Sequence, residues 1–192
     1  MHIIKIFGAY PWEVEVESAA HDHTTASKRN EFSHKAIKHV IDQVEARVNA
    51  AIPKSNPEAQ FAIFYSRLRA TSGSFVLNSI RERMSKAYAV IFDITGFNKN
   101  VMLELGMALE LQQHLEKPAK VFLISCAEKF EPSLLPSDLS GYFLSCYQIN
   151  EKDNAVSFKD GNSLVMRMTS DIMEILKQPY REELEKNTQV HA

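Results

Sequence analysis

Long apolar runs are missing from this chain, and so is any excess of one charge. No stretch approaches the roughly 18 consecutive apolar residues that a membrane span needs. Lysine and arginine total 22 against 24 aspartates and glutamates, a formal net charge of -2. That balance removes the bulk attraction to nucleic acid or anionic membrane that a basic domain carries, so neither is expected as a partner. Only two cysteines occur, Cys126 and Cys146, each at the end of an apolar stretch. They are too few for a disulfide framework and point to a reducing, cytoplasmic setting. The glycine patterns of Walker and dinucleotide-binding loops are missing. No Ser-His-Asp or Cys-His arrangement is assignable, and neither repeats nor low-complexity tracts occur. The N-terminal Met1-His-Ile-Ile-Lys-Ile-Phe7 is too short and wrongly flanked for a signal peptide and fits a first strand.

What is there suits one domain. The 192 residues are enough for a single full core, and 45% apolar with 24% charged residues is the mix of a soluble globular protein. Four short segments rich in β-branched and aromatic residues predict strands: Ile3–Phe7, Phe61–Tyr65, Ala87–Ile94 and Lys120–Ser125. Most show little alternation, as strands covered on both faces do. Tyr142–Ile149 makes a fifth. Helical periodicity predicts helices over Asn30–Ala51, Phe75–Lys86, Val101–Leu115 and Asn162–Lys177. Alternating strands and helices predict an α/β fold. Specifically, residues 1–178 are expected to form a three-layer α/β/α domain on a mostly parallel, five-stranded, doubly wound sheet of flavodoxin-like order. Residues 179–192 read as a charged, frayed tail.

In that strand order the first and third strands are neighbours at the topological switch point, where ligands bind outside the carboxyl ends of the strands. The loops there are Gly8-Ala-Tyr-Pro-Trp12 and Thr95-Gly-Phe-Asn-Lys-Asn100. Gly8–Lys28 is long for a strand-to-helix connection, and Glu13-Val-Glu-Val-Glu17 within it has the alternation of a short exposed strand. Cys126–Gly141, with Pro132 and Pro136, is expected to fold over one end of the sheet.

Two acids at the switch point attract attention. On a helical wheel Glu104 falls beside Ala108, Leu111 and Leu115, away from the polar side formed by Gly106, Glu110, Gln113 and His114. An inward carboxylate needs a partner or a ligand. The competing reading is an exposed first-turn acid favoured by the helix macrodipole. Asp93 ends an apolar strand at the edge where active-site acids gather, or else it is a turn-forming residue before Thr95-Gly96. Asn98 and Asn100 are candidate helix caps, one of them left over for a ligand. Gly96 and Gly106 permit a tight turn and a close helix–sheet approach.

These residues carry a resemblance. The segment Ala87-Tyr-Ala-Val-Ile-Phe-Asp-Ile-Thr-Gly-Phe-Asn-Lys-Asn-Val-Met-Leu-Glu-Leu-Gly-Met-Ala108 resembles the signature of TIR-like and nucleoside 2-deoxyribosyltransferase-like domains. Loosely, that signature is an apolar strand, then Asp-x-Thr-Gly-x-Asn-x-Asn-Val-x-x-Glu-Leu-Gly-x-Ala. Leu135-Pro-Ser-Asp-Leu139 and Tyr142 are similar to the segment such proteins place after their fourth strand. The resemblance implies an N-glycosidic site acting on a nucleoside, a nucleotide or NAD, with no separate cofactor. Glu104 would be nucleophile or oxocarbenium stabiliser, and Asp93 with Asn98 or Asn100 would hold the sugar hydroxyls. Tyr10 and Trp12 would stack on a departing nicotinamide or purine, unless they pack back on the core. Gly8 and Gly96 would shape the two loops. Phe97-Asn-Lys-Asn100 lacks the acid- and glycine-rich form of deoxyribosyltransferases, which favours hydrolysis or binding over base transfer. Related domains serve as self-associating effectors of antiphage defence, so a homo-oligomer is implied. A nucleotide-binding sensor without turnover, or a TIR-like assembly scaffold, are the alternatives.

Two weaker constellations remain. Arg67, Arg69 and Ser72-Gly-Ser74 precede a helix and suit a phosphate, although Ser74 also serves as a plain cap. His21-Asp-His23 lacks a third ligand at helical spacing, so no metal is expected.

Overall fold

The structure is a computed structural model. It describes residues 2–11, 23–52, 61–68, 76–160 and 162–189, with the side chains of 2, 23–30 and 177–189 left undescribed. The element order is β1 (His2–Ala9), α1 (His23–Ala51), β2 (Phe61–Arg67), α2 (Val76–Ser85), β3 (Ala89–Asp93), α3 (Lys99–His114), β4 (Lys120–Cys126), β5 (Leu144–Asn150), β6 (Ala155–Phe158) and α4 (Ser163–Gln189). One six-stranded sheet runs in the order β2-β1-β3-β4-β5-β6. Strands β1 to β5 pair in parallel, and β6 closes the edge antiparallel to β5. The predicted adjacency of first and third strands is present: Gly8 lies opposite Ile91 and Ala9 opposite Phe92.

The expectation of five strands is corrected to six. Four-residue β6 is only partly covered, so it carries no continuous apolar run. It is instead placed by its turn. Asn150 Oδ1 accepts from the amides of Lys152 and Asp153, and Asn154 takes a left-handed φ of 49°. Asparagine tolerates both roles. The α4 backbone stays helical through Gln189, across most of the residues read as a tail. Arg181, Glu182, Glu183, Glu185 and Lys186 are good helix formers, which suits that extension.

Every residue of β3 is buried, and successive positions alternate between two apolar clusters. Ile91 joins Ile4 and Ile6 of β1, Ile37, Val40 and Val44 of α1, and Met168 and Ile172 of α4. Val90 and Phe92 join Phe7 and Ala9, Ile80 and Met84 of α2, and Val101, Leu105 and Ala108 of α3. Each fully buried aliphatic or aromatic side chain contributes roughly 1.5–3 kcal/mol, so the central strand anchors helices from both clusters. Between β4 and β5, two short 3₁₀ turns at Pro132–Leu134 and Ser137–Leu139 occupy the predicted irregular segment, and Leu139 is buried in the second cluster. Glu13–Glu17 lies outside the described residues.

Candidate functional site

The switch point lies where β1 and β3 end side by side, and β3 passes there into α3 through a tight turn. Ile94 leads into a 3₁₀ turn over Thr95–Phe97, in which Gly96 has φ 66° and Phe97 φ 50°. A Cβ on Gly96 would meet nothing, so its left-handed backbone is what asks for glycine. Phe97 bears the same conformation at roughly 1–2 kcal/mol. Asn98 then caps α3, its Oδ1 accepting from the amides of Asn100 and Val101 at 3.0 and 3.3 Å. The question of which asparagine caps is thereby answered, and Asn100 stands exposed in the first turn. At the other end Leu115 turns extended ahead of Pro118, which cannot continue the helix.

Asp93 is completely buried, and both of its oxygens are used. Oδ1 accepts from the Thr95 amide at 2.9 Å and the Thr95 hydroxyl at 2.5 Å. Oδ2 accepts from the Tyr147 hydroxyl on β5 at 2.8 Å. Thr95 Oγ1 in turn accepts from the Cys126 amide at 2.7 Å. Asp93 therefore ties the ends of β3, β4 and β5 together beneath the turn. It takes the turn-forming role weighed from the sequence, extended by a contact across the sheet, and it faces protein rather than sugar.

Glu104 is different. It is half-buried on the line of Ala108 and Leu111, where the wheel places it. Among the described residues it accepts no hydrogen bond and forms no ion pair. Burial pushes its carboxyl up to about 7, with the Arg67 guanidinium pulling weakly the other way. Such a group stands poised between acid and carboxylate at neutral pH, which is where a catalytic carboxyl is useful.

Arg67 ends β2 directly opposite Gly8 in register. Its Nη2 donates to the carbonyls of Tyr10 and Pro11 at 3.0 and 2.9 Å, and its guanidinium lies 4.1 Å from the centre of the Tyr10 ring. Tyr10 is only 9% exposed and packs in the first cluster. The expected stacking of Tyr10 on a departing base is therefore corrected, since its ring belongs to the core and to Arg67. The Tyr10 and Tyr65 hydroxyls converge on His34 Nδ1 at 3.3 and 3.4 Å. A Cβ on Gly8 would sit 2.8 Å from the Tyr65 hydroxyl and 3.0 Å from Ile37 Cδ1, so Gly8 makes room for Tyr65. Gly106 is exposed with open space around it, and close helix–sheet approach is not its reason.

The structure thus brings Glu104 and Arg67 to the same edge and commits Asp93, Asn98 and Tyr10 to internal contacts. Trp12, Arg69 and Ser74 lie outside the described residues, as do His21 and the side chain of His23. Among the described residues no group of three or more His, Cys, Asp or Glu is placed to hold a metal, and no helix is long and apolar enough to cross a membrane. His34 and Tyr65 were not legible as site residues, because they meet Tyr10 only after α1 and β2 are folded against β1. The one available signal was the spacing of Tyr65 and Arg67, which places both on one face at the end of β2.

Comparison with protein-family models, with curated proteins and with solved structures finds no match. The functional reading therefore rests on the geometry of the edge and on the resemblance of the segment from Ala87 to Ala108.

Proposed function

We propose that the chain cleaves an N-glycosidic bond in a nucleoside, a nucleotide or NAD, with Glu104 acting at the anomeric carbon of the ribose. The observation that carries the proposal is a desolvated carboxyl with no hydrogen-bond or ion-pair partner among the described residues, pushed up to about 7, on the helix after β3. The resemblance to TIR-like and deoxyribosyltransferase-like domains supplies the reaction class. In this reading the fold is the three-layer, flavodoxin-like arrangement, and the ligand occupies the crevice between β1 and β3.

As the base leaves with the bonding electrons, positive charge develops on the anomeric carbon and ring oxygen. A fixed carboxylate in a water-poor setting stabilises that charge, or bonds to the carbon until water displaces it. Water then supplies the new hydroxyl and releases a proton; a purine or pyrimidine, which departs as an anion, takes that proton up, whereas nicotinamide departs from NAD neutral and the proton passes to solvent. Asp93 serves as a positioning residue that fixes the turn ahead of α3. No cofactor takes part, since NAD or the nucleotide is substrate. Self-association and a role in nucleotide depletion belong to the same proposal and rest on the resemblance alone, and a cytoplasmic location rests on the two cysteines.

The test is release of free base, followed by chromatography, from NAD and a panel of nucleosides and nucleotides. Wild-type turnover is expected to fall by about 10²–10³-fold in Glu104→Gln, the usual scale for losing one charge-stabilising group. Equal turnover by the two proteins overturns the mechanism.

One observation favours a second reading, a TIR-like assembly scaffold without turnover. Asp93, Asn98 and Tyr10, expected to hold sugar and base, are committed to protein partners. Such a scaffold would show no nucleotide-induced thermal stabilisation and would form concentration-dependent oligomers.

A further inference from the structure

We infer that His34 is a positioning residue for Glu104, acting through Tyr10 and Tyr65 to hold the Arg67 guanidinium at the carboxyl edge. The chain of contacts is short. Arg67 is oriented by two carbonyls, those of Tyr10 and Pro11, and by the face of the Tyr10 ring. What fixes Tyr10 therefore helps to fix Arg67. The Tyr10 hydroxyl rests 3.3 Å from His34 Nδ1, and the Tyr10 and His34 rings meet at 5.9 Å. From the other side Tyr65 stacks on His34 at 6.0 Å with planes 23° apart, its hydroxyl 3.4 Å from the same nitrogen. Two phenols thus converge on one ring nitrogen, at the spot where Gly8 leaves space for the second.

That arrangement suits a neutral imidazole whose bare Nδ1 accepts from the phenols. An unprotonated Nδ1 offers one lone pair to the phenols, whereas a protonated one donates and forces both hydroxyls to turn. Burial keeps the Tyr65 phenol above its ordinary value, so it remains a donor. His34 itself is held below its ordinary 6.5 by burial, then by Lys38 on its own helix, then by Arg67 on β2. On the same helix Lys35 is paired with Glu31 at 2.5 Å. Burial and both named cations favour the uncharged ring, and the Tyr10–His34–Tyr65 cluster stays assembled at neutral pH. It is expected to loosen only when acid protonates His34.

His34 counts as a positioning residue only under the proposed role of Glu104, while the contacts themselves stand apart from it. The experiment is therefore a titration that needs no turnover. Full-length protein carrying ¹³C at the glutamate side-chain carboxyl is titrated by NMR, and the Glu104 signal is assigned by its loss in Glu104→Gln. In His34→Phe the pull of Arg67 on Glu104 weakens, and its midpoint is expected to rise by roughly half a unit. Tyr65→Phe, which removes one hydroxyl and little volume, is expected to move it in the same direction by less. His34→Gln keeps an acceptor and restores the wild-type midpoint. An unchanged midpoint in both His34→Phe and Tyr65→Phe overturns the inference, as does a shift in His34→Gln as large as in His34→Phe. If Glu104→Gln keeps full turnover while the midpoint moves as expected, the reaction falls and the contact chain stands. If turnover is lost in Glu104→Gln but the midpoint never moves, the reaction stands and the role of His34 falls.

Discussion

Asp93 and Glu104 flank the same turn, and the protein treats them in opposite ways. Asp93 is the more deeply buried, yet three donors meet its two oxygens. Glu104 keeps part of its surface in solvent, yet no donor meets it among the described residues, and burial moves its carboxyl up to about 7. Depth of burial alone would have ranked the two the other way. A buried acid that has found its donors is part of the scaffold, because its desolvation is already compensated. A less buried acid that has found none holds uncompensated free energy, and a ligand can release it. On that contrast Asp93 belongs to the architecture, and Glu104 is the residue to which the proposed function gives the chemistry.

The largest effect on stability is expected at Asp93. Asp93→Ala removes the acceptor of the Thr95 hydroxyl, the Thr95 amide and the buried Tyr147 hydroxyl. Each orphaned donor costs about 1–3 kcal/mol, so roughly 3–5 kcal/mol should be lost in urea unfolding once the site relaxes. Asp93→Asn should cost less, because its carbonyl still serves Thr95 and the Tyr147 hydroxyl can turn to accept. If Asp93→Ala unfolds at the wild-type urea concentration yet loses ligand binding, Asp93 faces ligand and the contrast is wrong.

Glu104→Gln is expected to act with the opposite sign. The folded carboxyl titrates at about 7 against an ordinary 4.5, so the native state holds its proton more tightly than the unfolded chain. The sign follows: its relative stabilisation is fully present below 4.5 and is lost as pH rises through about 7. The variant, which cannot ionise, should match wild type near the acid end and exceed it at pH above about 8. At about 1.36 kcal/mol per unit, discounted for the solvent-exposed part of the group, the gain is on the order of 2 kcal/mol. Wild-type kcat/KM, if the carboxylate is the working form, should climb through the same window. A pH-independent stability difference would mean that Glu104 is not desolvated.

The sequence carries these two acids unequally. Glu104 is legible on a helical wheel, since Ala108 and Leu111 recur at helical spacing behind it and both are buried. The strand β3 is legible as well, because a strand covered on both sides needs no polar alternation. Half of the Asp93 environment is local, as the Thr95 contact spans two positions and follows from turn chemistry. The other half comes from Tyr147, which reaches Asp93 only because β5 is laid down beyond β4. The Tyr10–His34–Tyr65 cluster is non-local throughout, drawing on the end of β1, on α1 and on β2. β6 escaped for a different reason, being four residues long and half-covered, with its position set by an asparagine turn.

The smallest expected effect separates cap from ligand at Asn98. Its side chain satisfies two amides at the start of α3, and removing an asparagine cap costs about 1 kcal/mol. Asn98→Ala should lose that amount in urea unfolding. Asn98→Asp should recover it, because a carboxylate caps equally well and suits the positive end of the helix dipole. If Asn98 serves only the helix, nucleotide affinity should be the same in Asn98→Asp as in wild type. A sugar-binding Asn98 gives the other pattern: Asn98→Asp retains stability, yet affinity drops because the side-chain amide donor is gone. That result would move Asn98 from the company of Asp93 to that of Glu104, and the helix start would then belong to the site as well as to the scaffold.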